Sequence, residues 1–548
     1  MPTSDLQTAA FPKLGDRHMS ALEHCDKTVL RRYRRGEKIF RVGEREFKFF
    51  VIKEGEIEIL DESSETPKTI AVLGPREFTG EITQLTGGPS LVSGIARTDC
   101  EAYEISAEGL REILNRFPEL GDTILQAFIA RRQILRECAN FTGLRVIGSR
   151  YSRDTFRVRD FLAKNRVLFT WLDLEEDPQV NQLLHQFGLT EADTPVVIWG
   201  QVLLRNPSNR ELAEALGIRQ QLQPNIYELV VVGAGPAGLA AAVYGASEGL
   251  RTLVLERYGP GGQAGRSMRI ENYLGFPTGI TGGELADRAV VQANKFGAQL
   301  PVPTPVVRLE FDNAYSLLNV EGGETITAKC LLIATGADYR RLTAEGCEQF
   351  EGSGVFYSAT PTEAPLCHGA EVVVVGGGNS AGQAAVFLAG IARKVYLVIR
   401  GDSLYKDMSA YLARRIEMTE NIEILLNTEV RRMSGSSHLG EVELFNNKTA
   451  ETRTIKTPAL FSFIGATPRT EWLPPEIEKD SKAFVQTGPS LKNSSRWNAR
   501  REPFLLETSR PGVFAAGDVR ANSVKRVASA VGEGAMAVQF VHQYLKEM

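Results

Sequence analysis

Cysteines are few in this sequence and none is paired. The six of them, Cys25, Cys100, Cys138, Cys330, Cys347 and Cys367, are scattered, and no two form a CxxC. That spacing argues against a zinc ribbon or a disulfide framework and fits a reducing, cytoplasmic location. Charge of one sign is also scarce: 63 Lys and Arg stand against 67 Asp and Glu, a net charge of −4. There is thus no general positive field for nucleic acid, and no stripe of interleaved basic and aromatic residues provides a local one. Long apolar runs are missing as well. The charge-free stretch Leu229–Ser247 approaches spanning length, but its glycines and Pro236 sit where a buried strand would turn into a helix. The opening MPTSDLQTAAFPKLGDRH has no basic region followed by an apolar one, so no secretory leader is expected.

What the chain does have is ordinary globular composition, 43% hydrophobic and 24% charged, over 548 residues. That length predicts roughly three or four domains. Residues 1–140 hold short strands at close spacing (EKIFRVG, FKFFVIKEGEIEIL, KTIAVLG, SLVSGIA, EAYEIS) and then apolar positions at helical period, from Leu110 to Ile129. This predicts a small jelly-roll barrel with trailing helices. Residues 141–221 alternate strands (RVIGS, VLFTWLDL, PVVIWG) with helices (VRDFLAKN, VNQLLHQFG, NRELAEALG), and Gln220–Asn225 reads as a linker. From Tyr227 onward apolar strands alternate with helices and glycines cluster at the joins, the pattern of two Rossmann-like α/β dinucleotide-binding domains. Their expected bounds are 222–337 and 466–548 for a first, split domain and 338–465 for a second.

The segment ELVVVGAGPAGLAAAVYGASEGLRTLVLER is a strand, a glycine turn, a helix and a second strand. Gly233, Gly235 and Gly238 make GxGxxG, with Ala234, Pro236 and Ala237 between them, and Glu256 followed by Arg257 closes the second strand. The glycines permit a tight turn, close backbone approach to a pyrophosphate and close helix–strand packing. The helix N-terminus offers free N–H groups to phosphate, and Glu256 is placed for an adenosine ribose. The following GPGGQAGRSMRIENYLGFP, then CLLIATGA and PGVFAAGDV, resemble the flavin-contacting segments of low-molecular-weight thioredoxin reductases. The resemblance runs from Tyr227 to the C-terminus and implies bound FAD. It places Gly261, Gly262, Gln263, Asn272, Thr335 and Gly336 along the cofactor, and Asp518 on its ribityl chain. Lys525, Arg526 and Val527 fall at the tripeptide over the isoalloxazine edge, where the family usually has RQA.

A second unit, EVVVVGGGNSAGQAAVFLAGIARKVYLVIR, repeats the pattern with Gly376, Gly378, Asn379, Ser380 and Ala381. No acid ends its second strand. Ile399 and Arg400 stand there, and Arg400 would attract a 2′-phosphate, which favours NADP(H) over NAD(H). The family's further basic position is Tyr405 here, leaving Lys406, Arg414 or Arg415 to compensate.

The departure that matters lies in GVFYSATPTEA. Where thioredoxin reductases carry the redox pair CATC, this chain has Ser358 and Pro361. Neither residue can form a disulfide or a thiolate, so dithiol relay is impossible at this position. Cys330, Cys347 and Cys367 are expected to be packed, small hydrophobes.

The N-terminal RRGEKIFRVGEREFKFFVIKEGEIEIL and EFTGEITQLTGGPSLVSGIA resemble the start and the phosphate-binding cassette of cyclic nucleotide-binding domains. That likeness implies a cyclic nucleotide ligand, with Glu81 on a ribose hydroxyl and backbone N–H groups near Gly80 and Ile82 facing the phosphate. Ser90 follows Pro89 where the family has arginine, so a charge-assisted pair of about 1.5–3 kcal/mol is missing. No helix-turn-helix follows. The middle unit resembles a thioredoxin or glutaredoxin fold, with Thr194–Pro195 at the cis-proline place and Ser152–Thr155 (SRDT) at the place of the CxxC.

The leading expectation is an FAD-containing, NAD(P)H-linked oxidoreductase of the thioredoxin reductase type without the dithiol relay, regulated through its N-terminal domain. Its electrons would go to a small redox protein such as a ferredoxin, a quinone, a second flavin or oxygen. A ferredoxin- or flavodoxin–NADP reductase-like enzyme is one alternative, and a redox or nucleotide sensor or scaffold with a structural flavin is the other. The resemblance implies a homodimer; no metal is expected.

Overall fold

The computed structural model describes residues 3–45, 48–62, 67–80, 83–86, 89–90, 92–137, 144–176, 179–199, 202–219, 222, 225–492, 494–497 and 499–548. The linker residues Gln220, Gln221, Gln223 and Pro224 lie outside the described residues, as do Glu81, Ile82 and Cys138.

The N-terminal strands form two antiparallel sheets. One orders Thr28–Tyr33, Cys100–Ile105 and Phe49–Glu54; the other orders Lys38–Phe40, Ser93–Ala96, Ile57–Asp61 and Lys68–Leu73. Alternation in Ile57–Asp61 turns Ile57, Ile59 and Asp61 inward, and Phe40, Phe50, Ile52 and Leu73 complete the core between the sheets. The helix Ala107–Arg116 starts at Ser106, whose hydroxyl accepts from Gly109 N, and the helix Pro118–Glu137 follows. The second helix sends Phe128 into the Phe49–Phe78 pair and so closes the barrel.

The middle unit is a four-stranded mixed sheet, ordered Val202–Arg205, Val196–Trp199, Leu144–Gly148 and Thr170–Asp173. The peptide Thr194–Pro195 is cis. The helix Arg153–Lys164 packs Val158, Phe161 and Leu162 against this sheet.

Two further sheets make up the rest. In the first, Thr252–Leu255, Ile226–Val232, Thr325–Ile333 and Val513–Ala515 run parallel, with an antiparallel wing of Tyr315–Val320 and Val306–Asp312. The second is wholly parallel, in the order Val355–Phe356, Leu460–Ser462, Glu371–Val375, Lys394–Val398 and Ile422–Leu425. Strands buried on both faces read as unbroken Val, Leu and Ile, as Leu229–Val232 and Val372–Val375 do. Between the two sheets the chain crosses and returns as a two-stranded ribbon, Ala337–Tyr339 against Ala466–Pro468. The apolar stretch Leu229–Ser247 is the strand ending at Val232, a turn, and the helix Pro236–Ser247. Among the described residues no helix is long and apolar enough to cross a membrane.

Candidate functional site

At the end of strand Ile226–Val232 the chain turns at Gly233 with φ 108°, a conformation that costs glycine nothing. A Cβ at Gly233 would run into Ala334 O, and one at Gly238 into Gly233 O, so the helix sits tight against the turn. Gly235 caps the helix and Pro236 occupies its first turn, where a missing N–H costs nothing. Glu256 reaches back from the neighbouring strand. One carboxylate oxygen accepts from Ala234 N at 2.8 Å and the other from Tyr258 N at 2.9 Å. Arg257 lies over the Tyr258 ring and 3.8 Å from Asp338. Gly261 N donates to Ala234 O at 2.8 Å, and a Cβ on Gly262 would come within 2.9 Å of the Gly235 Cα. The two glycine turns are therefore stacked.

From the other side, Gly517 packs on Ala237 and its N–H donates to Glu533 at 2.7 Å, which brings Asp518 to the same helix end. Burial raises the Asp518 carboxyl, against the pull of the Lys525 charge. Lys525 donates to Asp518 O at 3.0 Å and lies over Phe484; Arg526 caps the helix Val527–Glu547. Thr335 donates to Arg469 O at 2.8 Å beside Gly336, which has φ 66°. Asn272 is exposed in the loop closed by the Ile270–Ile280 bridge and no hydrogen bond ties it to the glycine turns. Gln263 donates to Asp338 at 3.4 Å, while its buried Oε1 has no partner among the described residues. A cradle of crowded backbone beside an unsatisfied amide oxygen fits a dinucleotide whose ring system brings its own donors.

The second glycine turn is built alike. Gly376 has φ 140°, and a Cβ there would come within 2.7 Å of Phe463 O and 3.1 Å of the Ala381 Cβ. Gly378 caps the helix Asn379–Ala389. Asn379 accepts from Ser409 N at 2.8 Å, and Ser380 accepts from the Tyr339 hydroxyl at 2.8 Å. Ile399 is buried, and Arg400 is exposed with no ion pair among the described residues. Lys406 and Arg414 are also exposed, whereas Arg415 is taken: it pairs with Glu271 at 2.9 and 3.2 Å, across to the flavin-side half. Tyr405, at the family's basic position, donates to Glu417 at 2.6 Å.

Gln263, next to the first set of glycine turns, and Ser380, next to the second, line one cavity. Tyr339, Gln383, Phe463, Ser358 and Ala359 also line it, and its volume is about 40 Å³. Residues 227–534 match the pyridine nucleotide-disulphide oxidoreductase family. The chain belongs to that family. It is 35% identical to a thioredoxin reductase of Treponema pallidum over 319 residues, 58% of this chain and 97% of the relative. With a thioredoxin reductase of Bacillus subtilis the identity is 33% over 327 residues, covering 60% and 97%. Among solved structures, thioredoxin reductase from Lactococcus lactis in the FR conformation superposes with a TM-score of 0.53 at 29% identity, over 59% of this chain and all of that one. The T. acidophilum enzyme gives 0.52 at 28%, over 59% and 98%. The thioredoxin reductase family uses FAD and NADPH. Residues 30–117 match the cyclic nucleotide-binding domain family, so the chain is a thioredoxin reductase-like oxidoreductase carrying such a domain.

The segment expected at the family's dithiol carries oxygen side chains joined by hydrogen bonds. Ser358, 5% exposed, donates to Glu363 Oε1 at 2.9 Å, and Thr360 donates to Oε2 through its N–H at 2.8 Å and its hydroxyl at 2.5 Å. Glu363 is 1% exposed, and burial raises its carboxyl. Pro361 is exposed. Cys367 is buried behind, its thiol pushed up to about 12 by burial and then by the Glu363 charge. Burial likewise raises Cys347 and Cys330.

The middle unit seats on this segment. Ser152 accepts from Thr155 N at 3.2 Å, so the place of a CxxC is a helix cap. Next to it Tyr151 stacks on His438 with centroids 4.2 Å apart, Phe156 meets Phe356 at 5.2 Å, and Arg150 donates to Pro365 O at 3.4 Å. Arg159 is 7% exposed and stacks 3.6 Å over Trp171. Burial lowers its guanidinium to about 10, and the charge of Glu363 is the largest influence opposing that. The same helix and the two residues after it hold the first dinucleotide half: Asp160 lies 3.5 Å from Arg266, Asn165 donates to Tyr258 O at 2.7 Å, and Arg166 pairs with Asp287.

In the barrel, Gly80 has φ 95° and its carbonyl accepts from Arg131 at 2.8 Å. Ser90 is buried and its hydroxyl donates to Val92 O at 2.7 Å, leaving a neutral, engaged group where the family has arginine. Val291, from the flavin-side helix Gly282–Lys295, is part of the barrel's helical core with Leu85, Leu110 and Leu114.

Proposed function

We propose that the protein is an FAD-dependent, NAD(P)H-linked oxidoreductase that passes electrons to an acceptor other than a dithiol protein, under the control of its N-terminal unit. The observation that carries this reading is the cavity lined by Gln263, Ser380 and Ser358, whose lining among the described residues contains no cysteine. Bound there, the flavin would take hydride equivalents from the nicotinamide and release them to the acceptor. The stacked turns at Gly233–Gly238 and Gly261–Gln263, with Glu256 and Asp518, would hold the FAD. Ser380 and the unpaired Arg400 would receive the nicotinamide dinucleotide, and an exposed guanidinium favours one with a 2′-phosphate.

N-terminal control has a physical route. The helix Gly282–Lys295 begins against Ala264–Gly265, next to Gln263, and carries Val291 into the barrel core. A change at the cassette helix Thr83–Thr86 can therefore reach the flavin loop through one rigid element. A second copy of the chain is the expected partner in solution.

Anaerobic mixing tests the reading. NADPH should bleach the flavin, and NADH should require a higher concentration. Absence of bleaching with either nucleotide would sink the hydride-donor role, and brisk turnover in a thioredoxin-coupled thiol assay would overturn the choice of acceptor.

A further inference from the structure

Ser358 lines the cavity, and hydrogen-bonded to it is a carboxyl almost wholly withdrawn from solvent. Three observations coincide there. Ser358 lines the cavity shared by Gln263 and Ser380. Its Oγ is 2.9 Å from Glu363 Oε1. Glu363 is 1% exposed, and its other oxygen is satisfied twice by Thr360. We propose that Ser358 and Glu363 form a proton-donating couple in the place of the dithiol, and that the acceptor is a small two-electron acceptor of the quinone class, which leaves protonated. This rests on the oxidoreductase reading above and names its substrate class.

The surroundings decide which way the proton lies. Facing Glu363 are Arg159 and Asp160 from the helix Arg153–Lys164, Cys367 one turn on, and Ser358 and Thr360 from its own segment. Burial favours the neutral acid, Asp160 adds to that, and the hydrogen bonds from Thr360 and Ser358 oppose it. In the neutral form the 2.9 Å contact is reversed: the carboxyl O–H donates to Ser358 Oγ, and the serine's own proton faces the cavity. When the proton leaves, the carboxylate is met by the Arg159 charge and by the two Thr360 donors, so the anion is not stranded.

The step balances. A quinone takes two electrons and two protons to become a hydroquinone. NAD(P)H and flavin, when bound, would supply both electrons and one proton. The second proton comes from Ser358: its O–H breaks as the hydroquinone O–H forms, and the Glu363 O–H breaks as the serine O–H is restored. A proton from solvent, passed to Ser358 as the serine O–H proton moves to the carboxylate, reloads Glu363 after product release. A one-electron protein acceptor has no use for such a couple, and the segment is in any case covered by the middle unit through Phe156 and Arg150.

The test uses the full-length protein, its flavin reduced chemically so that nicotinamide binding is not needed. Reoxidation is followed with a soluble benzoquinone and, in parallel, with ferricyanide, which takes electrons alone. The quinone rate should fall as pH rises through the Glu363 titration, and E363Q should lower the ratio of quinone to ferricyanide rates by about 100-fold, the lower end of general-acid contributions. S358A should match it, while S358T, which keeps a hydroxyl, should restore most of the ratio. In the flavin-free protein, infrared difference spectra should show a protonated carboxyl that disappears on raising pH and is absent in E363Q. An unchanged ratio in E363Q and S358A, equal slowing with both oxidants, or no E363Q-sensitive carboxyl band would overturn the couple. Failure of NADPH to bleach the flavin would instead strike the oxidoreductase reading, because neither arm of this test uses NADPH.

Discussion

Glu256 closes the flavin-side turn from behind by accepting from Ala234 N and Tyr258 N, so one carboxylate sets the shape that the phosphates would meet. Hydrogen bonds to a charged group contribute about 1.5–3 kcal/mol, and E256A should therefore weaken FAD retention by about 10- to 100-fold, read as the flavin dissociation constant by fluorescence. Arg400 acts at the opposite end. With no carboxylate engaging it, R400A should raise the KM for NADPH about tenfold and leave that for NADH nearly unchanged. The cysteines make a prediction of their own. Cys100 is pushed up to about 11 and Cys367 to about 12 by burial, and Cys347 and Cys330 are raised too. Thiolate is the reactive form, so these four should resist a neutral-pH alkylating reagent until the protein is denatured, as peptide mapping would reveal. At this scale the chain was easy to read where a residue type has one physical job. Gly233, Gly238 and Gly376 each face backbone that a Cβ would strike. The pairing of Arg415 with Glu271 was not readable, because partners 144 positions apart leave no local pattern.

At the scale of elements, the helix Arg153–Lys164 matters most, since it touches both dinucleotide halves and faces Glu363. Its apolar period is visible only from Val158, and the true start comes earlier because Ser152 acts as an N-cap; read as the remnant of a redox motif, the same serine hides that role. The strand Thr28–Tyr33 escaped sequence reading for another reason. It is an edge strand whose arginines face outward to Glu104 and Glu101, so RRYRR has no apolar alternation to show. The segment facing the helix gives a pH prediction. Burial raises the Glu363 carboxyl above its unfolded value, so the folded state holds that proton more tightly. The associated stability is full below the unfolded carboxylate range and is lost as pH rises through the folded value. E363Q has no proton to lose there, so its melting temperature relative to the natural protein should increase from acidic to alkaline pH. A flat difference by calorimetry would contradict this sign.

Over the whole molecule, three bodies with separate cores are joined at separate seams. The barrel lends its helical core to Val291, the middle unit lends Arg159 and Phe156, and the dinucleotide halves meet at the ribbon Ala337–Tyr339 with Ala466–Pro468. The order of barrel, small α/β unit and two Rossmann-like sheets was legible, because glycine clusters and changes of period mark it. Where the bodies touch was not, since docking faces carry no periodicity of their own. The cassette shows the difference in practice. Ser90 is buried and hydrogen-bonded to Val92 O, so the position expected to hold the cassette arginine carries a neutral, engaged group. Isothermal titration with cyclic AMP and cyclic GMP should accordingly show binding at least about tenfold weaker than for an arginine-bearing cassette, from the charge-assisted pair alone.

The seating of the middle unit on the Ser358–Pro365 segment also has a mass-action consequence. The unit is joined to the chain on both sides, so it faces the segment at an effective concentration of order millimolar, the range for short tethers. A free thioredoxin-like protein at micromolar concentration would have to outcompete a resident that never diffuses away. Even with thiols restored at Ser358 and Pro361, entry would go to the tenant and not to the visitor.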